Sequence, residues 1–418
     1  MRTLLLINAT LNQDTARQIA AGRSPRKDYL ELQRALGADV VDLATLQRRL
    51  WTRLVRRFAG AGIAQALLAR VRAQRYDVIF ADRETTGLAL AALFKLGRRP
   101  RSCGGGLAAP GGHRRPRLVM IGHLLSPPKK QVLCRALRLS HEIDGLIVHS
   151  SLQGRIATNA LGLRPEQVAL VPYQTDERFW APRDVPLKNQ ICSAGLEYRD
   201  YHTLIEAVAG LDVDVLVAAA SHWSKHQGLS GEQVLPPNVR VAAFDYAALR
   251  QLYAESLFVV VPLHDVENQA GITTILEAMA MGKAVVVSHT RGQTDVVRDR
   301  RRRSRVDPQR QTQPDWARTL GATEETVQGH TGIYVQPGDP IELRQAITFL
   351  IEHPDQARIM GRNGRQLIEE TMGLDHFTAR LATIIPGVQP AGDTAEVPRR
   401  CRAPGWHRDA APTPDSLA

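Results

Sequence analysis

Residues Asp265 to Val297 read DVENQAGITTILEAMAMGKAVVVSHTRGQTDVV and directly follow the β-branched run Phe258 to Pro262, FVVVP. A short apolar strand run leads into a polar loop ending in Gly271, then a helix opened by Thr273 and Thr274. Gly282 follows, then a second apolar run, Ala284 to Val287; together these make one strand, loop, helix, strand unit, half of a mononucleotide-binding fold. The direction of the helix fixes the chemistry. Its first turn leaves backbone N–H groups without partners and a partial positive charge at the carboxyl end of the preceding strand, where open parallel sheets place their ligands. An anionic phosphate fits there. About one turn further in, Glu277 is a carboxylate among Ile275, Leu276 and Met279. It is suited to accept two ribose hydroxyls, each charge-assisted bond contributing about 1.5–3 kcal/mol.

Outward from this unit, the chain alternates strand and helix signals. Strand runs are expected at Leu4 to Ile7, Ala38 to Val41, Val78 to Ala81, Leu118 to Ile121, Gly145 to His149 and Val168 to Val171. They are expected again at Gln190 to Ser193, Val213 to Ala219, Val239 to Ala242 and Gly332 to Val335. Most connections are long enough for a helix, which predicts doubly wound parallel sheets. Pro182 and Pro186 mark a linker between two such sheets.

The run from Gln269 to Gly282 and on through Lys283, Ala284 and Val285 to Val287 resembles the nucleotide-sugar motif of family 4 glycosyltransferases, retaining enzymes of the GT-B fold. That resemblance implies two Rossmann-like domains facing a central cleft. It implies two glutamates eight positions apart, the second on the donor ribose and the first on the transferred sugar. Glu277 matches the second, and Gln269 stands where the first is expected; Glu267 lies two residues off that register. Residues Val171 to Phe179 resemble the segment that closes the family's N-terminal domain. The family also carries an Arg just after the glycine of the second domain's first strand and a Lys about five residues on, both on the donor diphosphate. Here Ala194 or Gly195 occupies the first position and Arg199 the second, so Arg199 is the expected diphosphate cation, with Lys225 or His222 as a candidate for the other. A histidine near the reacting sugar is implied at His123, after the strand Leu118 to Ile121, although a structural histidine is equally consistent with that place.

The resemblance thus implies a catalytic pair of Gln269 and His123, with a donor site of Glu277, Arg199, Gly271, Ile272, Thr273, Thr274, Gly195 and Lys225. Neither a metal nor a bound cofactor is expected; a nucleotide-diphosphate sugar is the donor substrate. The expected organisation is an acceptor-binding domain over 1–180 and a nucleotide-sugar-binding domain over 181–375, the latter with a charged insertion at about 298–329. A crossover helix over 376–385 and a disordered tail over 386–418, with six prolines and no periodicity, complete it. A non-catalytic nucleotide-sugar-binding paralogue and a GT-B-type sugar-nucleotide epimerase stay open as alternatives.

Composition agrees with two ordinary globular cores: 418 residues, 44% hydrophobic and 23% charged. No run of apolar residues is long enough to span a bilayer, and the start MRTLLLINATLNQD reads as a strand, not a signal peptide. Cys103, Cys134, Cys192 and Cys401 lack metal-site spacing and point to reduced thiols in a cytoplasmic setting. Charge is uneven. Residues 1–180 hold 29 Lys and Arg against 13 Asp and Glu, the remainder 25 against 29. Such a basic half suits an anionic surface; without zinc-finger spacing or a basic-aromatic RNA motif, nucleic acid is not expected.

One segment concentrates that charge. In Leu46 to Phe58, LQRRLWTRLVRRF, the residues Leu46, Leu50, Trp51, Leu54, Val55 and Phe58 recur at helical spacing between Arg48, Arg49, Arg53, Arg56 and Arg57. This reads either as a basic amphipathic helix on an anionic membrane, the protein then sitting at the inner face, or as an ordinary helix with its apolar stripe in the core. The loop Gly97 to Arg117, with six glycines and six arginines, reads as a surface insertion, because no Gly-Lys-Ser/Thr follows Gly104 to Gly106.

Overall fold

The computed structural model describes residues 1–97, 115–219, 235–299 and 329–387. The glycine- and arginine-rich loop (98–114), Lys225 and His222, most of the charged insertion (300–328) and the tail (388–418) lie outside the described residues.

Among the described residues, the apolar runs expected to be strands form two parallel sheets of six strands each. The first contains β1 (Thr3–Leu6), β2 (Asp39–Val41), β3 (Val78–Ala81), β4 (Arg117–Gly122), β5 (Gly145–Val148) and β6 (Val168–Leu170), in the order β2-β1-β3-β4-β5-β6. The second contains β7 (Gln190–Ala194), β8 (Asp214–Ala218), β9 (Val239–Ala242), β10 (Val259–Val261), β11 (Val285–Ser288) and β12 (Gly332–Val335), in the order β12-β11-β10-β7-β8-β9. The chain reverses its direction of travel across the second sheet between β7 and β10, which pair in parallel through Cys192 and Val259. The crevice outside the carboxyl ends of those two strands is the switch point where such sheets bind ligands.

Because helices cover both faces, strands such as β1, β3, β5, β10 and β11 are buried on both sides and read as continuous apolar runs instead of alternating ones. In β10 and β11, Val259, Val261, Val285 and Val287 face one core with Ile275, Leu276 and Met279 of the helix Ile272–Ala280. Val260 and Val286 face the other with Leu204, Val208, Leu343 and Ile347. The first sheet divides in the same way. Leu5, Ile7, Phe80, Val119 and Ile121 pack against Phe377, Leu381 and Ile385 of the helix Leu374–Gly387, so the chain's last described helix returns from the second sheet to cover the first.

Where the chain crosses between sheets, its two strands lie side by side. Thr175 N–H donates to the Met372 carbonyl at 3.1 Å and Leu374 N–H to the Thr175 carbonyl at 2.9 Å. Arg26, from the first half, ties both crossings together through Asp176 at 2.8 Å and Asp375 at 2.5 Å.

The arginine-rich segment differs from a single helix over Leu46 to Phe58. Leu46 is buried in a short 3-10 turn, Thr45–Gln47, and Arg49 is extended at the cap of a helix over Leu50–Ala59. Thr52, a fully buried side chain, donates its hydroxyl to the Leu46 carbonyl at 2.6 Å and bonds the Arg49 carbonyl at 2.9 Å. Those bonds turn Thr52 and Val55 inward and leave Leu50, Trp51, Leu54 and Phe58 outside. Of the two readings of this segment, an apolar stripe in the core holds for Leu46 and Val55 and not for Leu50, Trp51, Leu54 and Phe58.

Candidate functional site

At the end of β7 the backbone turns at Gly195, with φ of +97°, and again at Tyr198, with φ of +58°. Arg199 then bridges to Leu263 beyond β10, and Asp200 N–H donates to the Pro262 carbonyl at 3.1 Å. The turn is therefore clamped to the strand that leads into the Gly271 loop. Arg199 folds back beneath it. Its Nε donates to the Ala194 carbonyl at 2.8 Å, Nη1 to the Glu197 carbonyl at 2.9 Å and Nη2 to the Thr274 hydroxyl at 3.0 Å. The side chain is thus buried and held in one orientation, and each Nη carries a second hydrogen beyond the one these bonds use.

The helix Ile272–Ala280 begins at Gly271, whose φ of +77° is left-handed and which gives no side-chain cap. A Cβ on Gly271 would come within 2.8 Å of Val261. Thr274 is buried and Thr273 exposed at this first turn. An uncapped helix start beside a fixed guanidinium concentrates positive potential at the switch point.

Glu277, one turn in, is half-buried and accepts a hydrogen bond from the Tyr253 hydroxyl at 3.2 Å. Burial pushes its carboxyl up to about 8; the Tyr253 bond and the charges of Lys27 and Arg199 only partly oppose this. Lys27 comes from the first half. Its Nζ lies 4.6 Å over the ring of Tyr246. Sequence reasoning passed over Lys27 because nothing local marks it: it sits before the helix Asp28–Leu36, and only the packed fold sets it opposite Glu277.

The loop bearing Gln269 is fixed from several sides. Gly292 N–H donates to the Val266 carbonyl at 2.8 Å and Gln293 Nε2 to the Ala270 carbonyl at 3.0 Å. Glu267 pairs with Arg291 at 3.0 Å, so its carboxylate is engaged away from the position of Gln269. The side-chain amide nitrogen of Gln269 is buried without a protein partner.

Across the cleft, His123 follows β4. Its Nε2 lies 3.0 Å from the Asp82 carbonyl, which only accepts, so Nε2 carries the hydrogen and Nδ1 is left as an acceptor. Burial lowers its pKa and favours the neutral ring. Around it stand His149 at 5.3 Å between ring centroids, Tyr173 at 6.5 Å, the carboxylate of Glu84, which accepts from the His123 backbone N–H at 3.1 Å, and the carboxyl of Asp28. Burial drives Asp82 up to about 6 and raises Asp28 as well. Both line a cavity of about 50 Å³ floored by Leu5, Ile121 and Phe377. Neither acid stands in a recognisable sequence motif, and they meet because Asp28 opens the helix Asp28–Leu36 over the cavity that Asp82, directly after β3, also lines. Among the described residues, no group of three or more His, Cys, Asp or Glu is placed to hold a metal ion.

Residues 191–320 match the family model described as glycosyl transferases group 1. Over 170 residues the chain is 29% identical to the D-rhamnosyltransferase WbpZ of Pseudomonas aeruginosa, a stretch that covers 40% of this chain and 36% of that protein. The match thus spans only about a third of this curated relative's length. Among solved structures, Anabaena HepE in complex with UDP and glucose superposes with a TM-score of 0.60 at 17% identity, covering 93% of this chain and 100% of that one. Sucrose-phosphate synthase from Thermosynechococcus elongatus gives 0.60 at 14% identity, with 92% of this chain and 98% of that one covered. At these identities the likeness speaks for the fold, which is GT-B.

Proposed function

We infer, from a chain that carries a group 1 glycosyltransferase domain on a GT-B fold, that the protein is a retaining glycosyltransferase using a nucleotide-diphosphate sugar. The observation that carries this reading is the switch point: an uncapped helix start beside the buried Arg199, with Glu277 one turn deeper. The donor ribose sits on Glu277. Its diphosphate lies between the second hydrogens of the Arg199 fork and the N–H groups from Gly271 to Thr274. As the bond from sugar C1 to the diphosphate oxygen breaks, negative charge grows on that oxygen, and these fixed donors stabilise it without a divalent cation. The acceptor hydroxyl oxygen bonds to C1 from the same face, and its proton passes to the leaving phosphate oxygen.

Gln269 and His123 border the transferred sugar in this reading, His123 as a neutral ring with Nδ1 as the acceptor. The acceptor enters from the first half. That HepE structures hold UDP or UDP-glucose supports a nucleotide-sugar donor here. The acceptor is a hydroxyl of a lipid-linked, polysaccharide or small-molecule substrate. Arg48, Arg49, Arg53, Arg56 and Arg57 supply an anionic-surface partner on the acceptor side, consistent with work at the inner face of a membrane.

Thermal-shift measurements with UDP, GDP, ADP and their sugar conjugates test the donor site. A ligand at about a hundredfold its dissociation constant adds about 2.7 kcal/mol, a visible rise in Tm. A rise specific to one nucleotide that survives EDTA is expected; a rise abolished by EDTA would overturn metal independence. A second reading, a nucleotide-sugar-binding paralogue without turnover, is favoured by Gln269 standing where the family carries a glutamate. It requires donor binding with no transfer to any acceptor, and restoration of activity by Gln269→Glu would support it.

A further inference from the structure

We propose that the helix Leu50–Ala59 is an in-plane membrane anchor whose apolar ridge inserts into an anionic bilayer while its arginines hold lipid phosphates. This deepens the anionic-surface partner of the proposed function and does not depend on catalysis. The sequence leaves open whether the apolar stripe packs inside; the structure places four of its six residues outside. Leu50 is 75%, Leu54 57%, Phe58 82% and Trp51 37% exposed. These positions recur at intervals of three and four, so they line one side of the helix, while Thr52 and Val55, on the adjoining side, turn into the fold.

A cluster of large apolar side chains turned to water needs an occupant. Charge identifies it. Arg48 and Arg49 precede the ridge and Arg53, Arg56 and Arg57 border it along the same helix, and neither Leu50–Ala59 nor the Ala61–Arg72 helix packed beside it contains an acidic residue. A second copy of this face would bring five arginines against five, so self-association through it is opposed. An apolar ridge flanked by arginines matches the layered chemistry of a bilayer surface, acyl chains below and phosphates at the rim. Trp51 at the border of ridge and water is the residue type that settles at that level. No helix among the described residues is long and apolar enough to cross a membrane, so the contact is an interfacial one.

The position of the helix adds a reason for the contact. Gln65, buried in the Ala61–Arg72 helix, donates to the carbonyls of Ile7 and Val41 at 2.7 and 3.2 Å, at the carboxyl ends of β1 and β2. The Gly60 turn between the two helices therefore stands at the carboxyl edge of the first sheet, the same edge from which His123 follows β4. An anchor there holds the acceptor side of the cleft against the lipid surface.

The test is co-sedimentation of the full chain with phosphatidylcholine vesicles, with and without phosphatidylglycerol. Two variants separate the contributions: Leu50→Ser with Leu54→Ser and Phe58→Ser, and the five arginines each →Gln. All of these side chains reach solvent, and an unchanged Tm confirms folding. Wild type is expected to bind anionic vesicles and not neutral ones. The arginine variant should lose about a hundredfold or more in partitioning, and the serine variant should lose binding although every arginine remains. Trp51 emission should shift to the blue on binding, and Trp51→Phe should remove that shift. Binding undiminished in the serine variant would overturn insertion. Wild type that ignores anionic vesicles, or that is a dimer which the serine variant turns into a monomer, would overturn the membrane assignment. Because the nucleotide thermal shift is expected to be unaltered in both variants, failure of the donor reading and failure of the anchor are read separately.

Discussion

Glu277 carries a conflict that makes the donor site testable at the level of one side chain. Burial raises its carboxyl from the ordinary 4.5 to about 8, so Glu277 holds its proton near neutrality. A carboxyl raised on folding binds its proton more tightly in the folded chain. Its contribution to stability is therefore intact below about 4.5 and declines as pH climbs towards 8. Glu277→Gln should flatten that part of the Tm profile, and an unchanged profile would remove Glu277 as its source. Donor binding has the opposite dependence, since ribose hydroxyls donate best to the ionised form. Affinity should rise as pH passes through about 8, with proton release visible as a buffer-dependent heat in calorimetry. Above that titration Glu277→Ala should cost about 2 kcal/mol, roughly thirtyfold in Kd, from lost charge-assisted bonds. Wild-type affinity in a folded Glu277→Ala protein would take the ribose off this residue. The sequence shows Glu277 one turn into a helix that leaves a strand. Its hydrogen bond to Tyr253 and its exposure to the charge of Lys27 depend on residues 24 positions away and in the other half of the chain, which no local pattern encodes.

The turn between β7 and its helix shows what an element adds to its residues. Gly195 combines a φ of +97° with a close approach, since a Cβ there would lie 2.3 Å from Arg199 Nη2. Gly195→Ala therefore strains the backbone by about 1–3 kcal/mol and pushes the guanidinium off Ala194, Glu197 and Thr274. Gly210, at φ +72° with nothing within 4 Å, gives the control. Gly210→Ala should lower Tm to a similar degree and leave nucleotide affinity alone, whereas Gly195→Ala should lower both; equal nucleotide affinities in the two variants would detach Arg199 from the phosphate. Elements were legible in proportion to how much their order depends on local pattern. The strands inside the sheets could be read because a parallel strand buried on both faces is a bare apolar run such as VVV in β10 and β11. The arginine-rich helix was legible in its periodicity but not in its facing. The side that turns inward was decided by the Thr52 hydroxyl reaching the Leu46 carbonyl, against the larger apolar stripe. Arg199 was legible as a cation by its place after β7, yet its burial among carbonyls was not, because these come from the same turn only once it is clamped to β10.

At the scale of the whole molecule the cleft is pinned at both ends, by different chemistry. On the hinge side Arg26 joins the two chain crossings through Asp176 and Asp375, with Arg178 also on Asp375. On the opposite side Asp295, beyond β11, reaches the start of the Ser151–Asn159 helix in the first half. Its carboxylate accepts from Ser151 N–H at 2.7 Å and from the Ser151 hydroxyl at 2.8 Å, while Gln153 Nε2 donates to the Glu267 carbonyl at 3.0 Å. A carboxylate on a helix N-terminus is favourable both as a cap and against the helix dipole. This contact ties the loop that bears Gln269 to the half that bears His123 by bonds that involve neither residue. Asp295→Ala leaves both cores intact and removes charge-assisted bonds of about 1.5–3 kcal/mol each from the closed arrangement. The expected result is a larger radius of gyration in solution scattering without nucleotide and a weaker apparent donor affinity, with Tm little altered. Saturating nucleotide should bring the radius back, because a ligand that bridges the two sheets supplies the closing energy the latch has lost. A radius identical to wild type without ligand would show that the hinge network of Arg26 alone sets the opening of the cleft.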